Sequence, residues 1–347
     1  MLPRRHAPAT RSSAVLGTLL LAAVTGLIGS WGPSASAEEA APRAALCNGL
    51  PPTIEGEPGT TVLGTAGNDV IVTKGAARVD SGAGDDSICV TGRGTAVVNA
   101  GPGDDFVGAR AHQGKSFVSL GFGDDVFLGG SGDDRVWSQE ASNQSSPDDQ
   151  DRVEPGAGDD YVISGSSAAP NTDVVNLGPG DDQLVTYGFT TGAILLGGLG
   201  TNTYQPLPGS DVAGDWTFSN VTGEATLDSV VRLQWTSFQR FDLKGLHGST
   251  ARFLGSRASE SVTIGGTCRA VLRGRAGDDR LLVDAEGCSS QAAGDARLVG
   301  GPGDDVLIGS AGDDVLRGGG GRDRADGSDG ADQCAVENAV SCELSRS

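Results

Sequence analysis

Short alternations of apolar residues recur along most of the chain, and each follows a stretch rich in glycine and aspartate. Val126-Phe127-Leu128 and Tyr161-Val162-Ile163 are two examples. Alternation with a period of two residues is typical of β-strands, because successive side chains of a strand point to opposite faces. The pattern therefore predicts many short strands that are joined by glycine-rich turns.

Residues 300–335 show the pattern in its most regular form. Written in nines, they read GGPGDDVLI, GSAGDDVLR, GGGGRDRAD and GSDGADQCA. Each nine has glycine at positions 1 and 4, aspartate at position 6, and at position 8 a small or apolar residue, namely Leu307, Leu316, Ala325 and Cys334. Glycines at positions 1 and 4 allow a tight turn with positive φ. Position 6 then ends the turn, and position 8 points inward from a short strand.

Two such nines close one coil, and coils stack as parallel strands about 4.8 Å apart. Consecutive nines therefore lie on opposite edges of the stack. Asp305 and Asp323 are predicted to share one edge, and Asp314 and Asp332 the other.

The same register continues upstream with longer spacers. Gaps of 17, 19 and 20 residues place four aspartates on a single edge, namely Asp69, Asp86, Asp105 and Asp125, and Asp134 lies on the opposite edge. Asp160 and Asp182 follow after gaps of 26 and 22 residues, with a polar loop over residues 138–151. Degraded sixth positions are expected at Thr61, Asn202 and Glu260.

Composition excludes an ordinary globular core. Glycine accounts for 56 of 347 residues, and aromatic residues make up only 5%. Such a chain is either disordered, acidic low-complexity sequence or a repeat that requires glycine. The apolar residues fixed at position 8 favour the repeat, because a solvated tail needs no such phase.

The N-terminus predicts export. Arg4, Arg5 and Arg11 precede or open an apolar run that is short for a membrane span, and Ala35-Ser36-Ala37 resembles a cleavage site. Residues 1–37 are therefore predicted to be a signal peptide, with an uncleaved anchor as the alternative. Its removal takes the formal charge from −20 to −23. This charge argues against nucleic acid and anionic membranes as partners and suits cations.

The nines resemble the RTX, or haemolysin-type, calcium-binding repeat, whose consensus is G-G-x-G-x-D-x-U-x with U a large apolar residue. The match is good over residues 300–317, decays over 318–335 and is partial over 56–205 and 255–299. The resemblance implies a right-handed parallel β-roll or β-solenoid, a secreted bacterial protein, and several Ca²⁺ ions held by turn carbonyls and position-6 aspartates. Carried over to this chain, the implied side-chain ligands are Asp69, Asp86, Asp105, Asp125, Asp134, Asp160, Asp182, Asp279, Asp305, Asp314, Asp323 and Asp332. The aspartate at position 5, such as Asp304, is expected to face solvent.

Electrostatics favours the same cation. Carboxylates stacked about 5 Å apart repel by about 3 kcal/mol per pair at an effective dielectric constant near 20. Carboxylate and carbonyl oxygens in flexible geometry suit Ca²⁺ better than Mg²⁺ or softer metals. The chain is therefore predicted to fold when it meets calcium after export, and to be largely unfolded without it.

Six cysteines in an exported chain indicate disulfides. Cys334 and Cys342 lie close in sequence, Cys268 and Cys288 would sit on adjacent coils, and Cys47 and Cys89 are left for each other. The connectivity stays open at this stage. Zinc binding is the alternative, but the chain has no C-x-x-C and few histidines.

The predicted organisation is a cap over 38–55, a degenerate calcium-binding solenoid over 56–205, an aromatic-rich segment without calcium motifs over 206–254, an RTX-type roll over 255–335 and a disulfide-capped tail over 336–347. The aromatic segment is either a packed core or a ligand-binding face.

Two alternative functions stay open. A secreted β-helix enzyme acting on polysaccharides is one, since Asn171-Thr172-Asp173 and Asp181-Asp182 resemble part of the polygalacturonase motif set, whose other elements are absent. A calcium-rigidified adhesion module is the other. No enzymatic function is expected, and the sequence identifies no protein or glycan partner.

Overall fold

A computed structural model of the chain describes residues 46–139, 149–166, 171–188, 192–207, 213–267, 269–284 and 294–344. Over these residues the secondary structure consists of strands and turns, without a helix. The strands wind into a parallel β-solenoid with two sheets. The predicted all-β, parallel solenoid is therefore confirmed.

The strands, in chain order, are β1 (Ile54–Glu55), β2 (Thr61–Thr65), β3 (Val70–Val72), β4 (Arg78–Gly82), β5 (Ser87–Cys89), β6 (Ala96–Pro102), β7 (Phe106–Gly108), β8 (Ser116–Phe122), β9 (Val126–Leu128), β10 (Arg135–Trp137), β11 (Arg152–Glu154), β12 (Tyr161–Ser164), β13 (Val174–Asn176), β14 (Gln183–Tyr187), β15 (Ile194–Leu196), β16 (Thr203–Leu207), β17 (Ala213–Ser219), β18 (Glu224–Leu227), β19 (Val230–Thr236), β20 (Arg240–Leu243), β21 (His247–Leu254), β22 (Ser261–Ile264), β23 (Ala270–Arg273), β24 (Arg280–Val283), β25 (Ala296–Pro302), β26 (Val306–Ile308), β27 (Val315–Gly320), β28 (Arg324–Asp326), β29 (Gln333–Ala335), β30 (Asn338–Val340) and β31 (Glu343–Leu344).

Odd- and even-numbered strands separate into the two sheets. The smaller sheet has 14 strands, which are the even-numbered ones except β18, and the larger sheet has the other 17. Neighbouring coils pair in parallel and in register, so that Leu281, Leu307 and Ala325 lie side by side on β24, β26 and β28. Equivalent residues of successive repeats are therefore stacked along the solenoid.

The core is built from the middle residues of the short strands. Val107, Phe127 and Val136 are completely buried between partly exposed neighbours. In the C-terminal repeats the position-8 residues are likewise 0% exposed, as the sequence pattern predicted. Because a three-residue strand buries a single inward side chain, the apolar area per coil is small. The turns must therefore contribute to holding the coils together.

The segment around Trp216 departs from the simple coil. Strands β17, β18 and β19 form an antiparallel meander inside the larger sheet, with β19 against β15 and β17 against β21. Asp228 and Ser229, in the tight turn between β18 and β19, both have positive φ. That conformation is typical of the type I′ turn of a two-residue hairpin. The sequence predicted alternating strands here but not their antiparallel pairing.

Aromatic side chains fill the interior at this meander. In the smaller sheet β16 pairs directly with β20, while the larger sheet gains its extra strands at the same level. The side chains that lie buried between the sheets are Tyr204, Trp216, Phe218, Trp235, Phe238, Phe241 and Phe253. Adjacent rings have centroids 5.0 to 6.5 Å apart. These rings form a packed core.

Two disulfides fix the ends of the solenoid. Cys47 bonds to Cys89 and Cys334 bonds to Cys342, so both of these expected pairs are confirmed. Cys268 and Cys288 lie outside the described residues, as does the predicted signal peptide at 1–37. Within the described ranges, no helix has the length and apolarity needed to cross a membrane.

Candidate metal centre

All twelve aspartates predicted as metal ligands end a turn directly before a strand, and all are buried. In most cases the carboxylate reaches back to the preceding coil, where its Oδ1 accepts the main-chain N–H of the equivalent residue. Asp69 N, for example, donates to Asp86 Oδ1 at 2.7 Å. The parallel register therefore turns position 6 into a continuous ladder of side chains.

The larger-sheet ladder is the series of position-6 residues that lead into strands of the larger sheet. Its first part links Asp69, Asp86, Asp105, Asp125, Asp151 and Asp173 through N–H to Oδ1 bonds of 2.7 to 3.1 Å. A second part links Ala296 N to Asp314 and Asp314 N to Asp332.

The smaller-sheet ladder follows the opposite edge. It begins at Ser116 N and includes Asp134, Asp160, Asp182, Asn202 and Gln239. It resumes at Glu260 N and continues through Asp279, Asp305, Asp323 and Glu337. Asp305 and Asp323 therefore share one edge and Asp314 and Asp332 the other, as the spacing of nine predicted.

Sequence reasoning missed Asp151 and Asp173 as ladder residues. The predicted polar loop over 138–151 extends too far, because Asp149 and Asp151 are 3% and 0% exposed. A signal was available in the spacing. Asp151 and Asp173 follow Asp125 after 26 and 22 residues, which are the gaps that carry Asp134 to Asp160 and Asp182. The longer spacers lengthen both ladders by the same amount, but the prediction allowed for them only on the edge of Asp134.

The second carboxylate oxygen is the chemically significant one. Within the part of the chain that the structure describes, eleven ladder aspartates have an Oδ2 that is buried without a hydrogen-bond partner: Asp86, Asp105, Asp125, Asp134, Asp151, Asp160, Asp182, Asp279, Asp305, Asp323 and Asp332. A buried carboxylate oxygen without a donor carries a large desolvation penalty. Such a regular series of orphaned oxygens calls for an electropositive partner.

Glycine at position 1 makes room for these oxygens. A β-carbon at Gly300 or Gly318 would overlap the carboxyl group five residues on, Asp305 or Asp323. At Gly327 it would meet both Asp332 Oδ2 and the main-chain oxygen of Ser341, one coil further along. The prediction of positive φ at position 1 is wrong. Positive φ occurs at position 4, for example at Gly303 and Gly321, whereas position 1 must lack a side chain because the carboxylate fills that space.

Three ladder aspartates have Oδ2 partners from the protein. Thr65 N and Oγ1 donate to Asp69 at 2.6 and 2.9 Å, and Ser310 N donates to Asp314 at 2.5 Å. The hydroxyls of Ser138 and Ser164 donate to Asp173 Oδ2 at 2.9 and 2.7 Å. These rungs therefore need a cation less than the orphaned ones do.

Burial raises the pKa of the ladder carboxyls. It takes the pKa of Asp105 to about 8, that of Asp125 to about 9 and that of Asp279 to about 8, and the neighbouring ladder carboxylates add to the rise. In the C-terminal repeats burial also raises the pKa of Asp305, Asp323 and Asp332. Without a cation, the folded ladders therefore resist ionisation.

The aspartates at position 5 form a separate ladder on the exposed surface. Asp304 N donates to Asp278 Oδ1 and Arg322 N donates to Asp304 Oδ1, each at 2.8 Å. These side chains thus reach toward the following coil, opposite to the position-6 side chains. Position 5 does face solvent, as predicted, and in addition links neighbouring coils.

The donor set fits calcium. No group of three or more Asp, Glu, His or Cys side chains suited to a metal ion occurs in the described residues. The turns instead bring a carboxylate oxygen next to a main-chain carbonyl, as beside Gly327, where a β-carbon would meet Asp332 Oδ2 and Ser341 O. Oxygen-only ligands at flexible geometry are those of a hard cation such as Ca²⁺.

The residues that resemble polygalacturonase motifs have structural partners. Asp182 is a ladder residue and Asp173 accepts hydrogen bonds from two serines, while exposed Asp181 receives Thr201 N at 2.8 Å. His112 is buried at an isolated β-bridge to Gly92, with Nε2 3.1 Å from Gly94 O.

Comparison with protein-family models gives a direct match. The RTX calcium-binding nonapeptide repeat is found in four copies, over residues 114–142 and 297–334. The chain therefore carries RTX repeats, both in the tandem region and within the upstream solenoid. No curated protein matches the chain.

Proposed function

We propose that this chain is a secreted calcium-binding protein whose two acidic ladders each hold several Ca²⁺ ions between stacked turns. The orphaned Oδ2 atoms are the observation that carries the proposal, because a neutral solenoid would not place so many unpartnered carboxylate oxygens inside its turns. The RTX repeats support the identity of the ion. The two disulfides fit an oxidising, extracellular setting.

The proposed side-chain ligands are the twelve aspartates of the sequence analysis together with Asp151. Among them, the orphaned rungs are the strongest candidates, and Asp69 and Asp314 are weaker because hydroxyl and amide groups already serve their Oδ2 atoms. Bound Ca²⁺ would supply positive charge at the orphaned oxygens and would hold successive turns together. The protein supplies the carboxylates, the glycine-lined space and the parallel register.

Calcium binding is proposed to be coupled to folding. A site at a calcium concentration ten times its Kd adds about 1.4 kcal/mol to the free energy of unfolding, and several sites add up to the stability of a whole domain. Without the ion, each ladder must either protonate or repel itself. The chain would therefore cross the membrane unfolded and fold in calcium-rich surroundings.

Isothermal titration of residues 38–347 with CaCl₂, with MgCl₂ as the control, tests binding. We expect several Ca²⁺ per chain and weaker uptake of Mg²⁺. Far-ultraviolet circular dichroism with calcium and with chelator tests the coupling, and we expect β-structure to increase with calcium. Absence of Ca²⁺ uptake at millimolar concentration would overturn the function, and equal β content in both conditions would overturn the coupling.

A further inference from the structure

Asn202 occupies a position-6 rung of the smaller-sheet ladder, between Asp182 and Gln239. Its Oδ1 accepts Asp182 N at 3.0 Å, and its own N–H donates to Gln239 Oε1 at 2.8 Å. These are the ladder bonds that the aspartates make on neighbouring coils. Asn202 is also 0% exposed, like those aspartates.

The other half of the side chain differs. Asn202 Nδ2 donates to the main-chain oxygens of Gly197 at 2.8 Å and Ser237 at 3.2 Å. Gly197 lies five residues before Asn202, at position 1 of its turn, and Ser237 belongs to the next turn along this edge. The amide N–H groups therefore satisfy two turn carbonyls that point to one place.

An acidic rung of the same ladder shows what the amide replaces. A β-carbon placed on Gly129 would meet Asp134 Oδ2 at 2.7 Å and would overlap Pro155 O; one placed on Gly197 would meet Asn202 Nδ2 at 3.1 Å and would overlap Ser237 O. The two turns thus present the same arrangement of position-1 glycine, position-6 side chain and carbonyl of the next coil. At Asp134 two oxygens converge and neither offers a proton, whereas at Asn202 a donor faces the carbonyl.

The packing around Asn202 also makes an ion unnecessary. Tyr204, at position 8 of this turn, is buried against Trp235 and Phe238 with ring centroids 5.8 and 5.4 Å away. Its hydroxyl lies 3.0 Å from Thr186 Oγ1. The coil is held by a large aromatic core, whereas the strands after Asp134 and Asp305 each bury one aliphatic side chain, Val136 and Leu307.

We propose that the side-chain amide of Asn202 takes the place of a calcium ion, so that this rung is metal-free and is a latent cation site one atom away from being opened. The inference rests on the proposed calcium binding of the acidic rungs. It makes residue 202 the determinant of whether this turn takes an ion. It also predicts that the acidic rungs on either side, Asp134–Asp182 and Asp279–Asp323, load with calcium as separate groups.

The test is Asn202→Asp, measured beside the wild-type chain and Asn176→Asp. Asn176 is exposed at the end of β13, so its variant makes the same charge change outside the ladder. Calcium stoichiometry is measured by equilibrium dialysis, and thermal unfolding is followed at limiting and at saturating calcium. We expect Asn202→Asp to bind one more Ca²⁺ than wild type, to melt at a lower temperature in limiting calcium and to recover in saturating calcium. Asn176→Asp should match wild type in stoichiometry.

The outcomes separate the two proposals. If wild type binds calcium and folded Asn202→Asp binds the same number of ions, the proposal that the Asn202 amide replaces an ion is wrong, while the calcium function stands. If wild type binds none, the function itself falls and the inference with it. Should Asn202→Asp fail to fold in calcium, Asn202→Ala decides: it removes both N–H donors and adds no charge, and a melting temperature in saturating calcium equal to that of wild type would overturn the proposal.

Discussion

In the tandem repeats of residues 300–335, the residue five places before each ladder aspartate is a glycine, namely Gly300, Gly309, Gly318 and Gly327. In the upstream coils that contain β5, β7 and β9 the same place is held by Ser81 before Asp86, Ala100 before Asp105 and Leu120 before Asp125, each 0% exposed. Both regions stack their carboxylates with the same N–H to Oδ1 bonds. They differ in the residue at position 1.

That difference has an electrostatic counterpart. Burial takes the pKa of Asp105 and Asp125 to about 8 and 9, so a proton can neutralise these upstream rungs near neutral pH. For Asp323 and Asp332 burial raises the pKa as well, and the carboxylate occupies the space that a β-carbon at Gly318 or Gly327 would take. The upstream coils thus bury a side chain at position 1 that the tandem coils lack, and we expect the tandem coils to depend more strongly on a bound ion.

Removal of calcium by a chelator is expected to give the largest difference between the two regions. At pH 7.5 in chelator we expect residues 297–334 to lose their amide protection from hydrogen exchange, while residues 96–137 lose less. The reason is that the tandem turns lose the ion and have no side chain at position 1, whereas burial lets Asp105 and Asp125 keep their protons at this pH. Hydrogen exchange with mass spectrometry measures both regions in one sample, with calcium-loaded protein as the control. Equal or greater loss upstream would contradict the comparison.

Adding a side chain at a position-1 glycine tests the comparison between the two regions further. Gly318→Ala places a methyl group on the Asp323 carboxyl, and overpacking of this kind costs about 1–3 kcal/mol. Gly320→Ala is the matched control, because a β-carbon there meets nothing within 4 Å. Urea unfolding in calcium should show a loss for Gly318→Ala alone, together with weaker calcium binding. Equal stability of the two variants would show that position 1 is not part of the site.

Sequence periodicity predicted the ladders well because a parallel solenoid converts linear spacing into stacking. Asp86, Asp105 and Asp125 could be assigned to one edge from their spacing alone. Asp173 could not be recognised so easily, since its turn lacks the glycine pattern and its Oδ2 partners, Ser138 and Ser164, come from other turns. The meander of β17–β19 was missed for a related reason: a strand of alternating residues has the same pattern whether its neighbour is parallel or antiparallel.

Hydrogen bonds from other residues to the ladder carboxylates also could not be predicted from the repeat pattern. In the nines, Ser310 looks like a spacer at position 2, but its N–H and hydroxyl both bind the Asp314 carboxylate. Loss of Asp314 would therefore remove protein hydrogen bonds as well as an ion. The repeat pattern predicted one kind of ligand at position 6. The structure shows three kinds of position-6 residue: aspartates with an orphaned Oδ2, aspartates bound by hydroxyl or amide groups, and an asparagine.

In the absence of calcium, acidification should stabilise the upstream coils. The upstream carboxyls have folded pKa values of about 8 and 9, above the unfolded value near 4. Their contribution to stability is therefore complete below about pH 4 and is lost as pH rises toward 8 to 9. In that window each such carboxyl lowers the free energy of unfolding by up to about 1.4 kcal/mol per pH unit.

We expect chelated protein to hold more β-structure at pH 5 than at pH 8, as measured by circular dichroism. Asp125→Asn should flatten this dependence, because the amide does not ionise, and Asp304→Asn on the exposed position-5 ladder should leave it unchanged. Calcium binding must move the other way and strengthen with pH, since the ligands bind as carboxylates. Chelated protein that is equally structured at both pH values would show that these rungs do not hold their protons.

The smallest effect is expected at position 5. Asp304 is exposed, and its Oδ1 accepts Arg322 N at 2.8 Å, so Asp304→Ala removes one solvent-accessible hydrogen bond worth about 0.5 kcal/mol. Asp304→Asn keeps an acceptor and should behave as wild type. Because neither variant touches the buried Oδ2 of Asp305, calcium stoichiometry should stay the same in both, as dialysis would measure. Loss of an ion in Asp304→Asn would mean that position 5 also supplies a calcium ligand, which would contradict the assignment of ligands to the buried ladders alone.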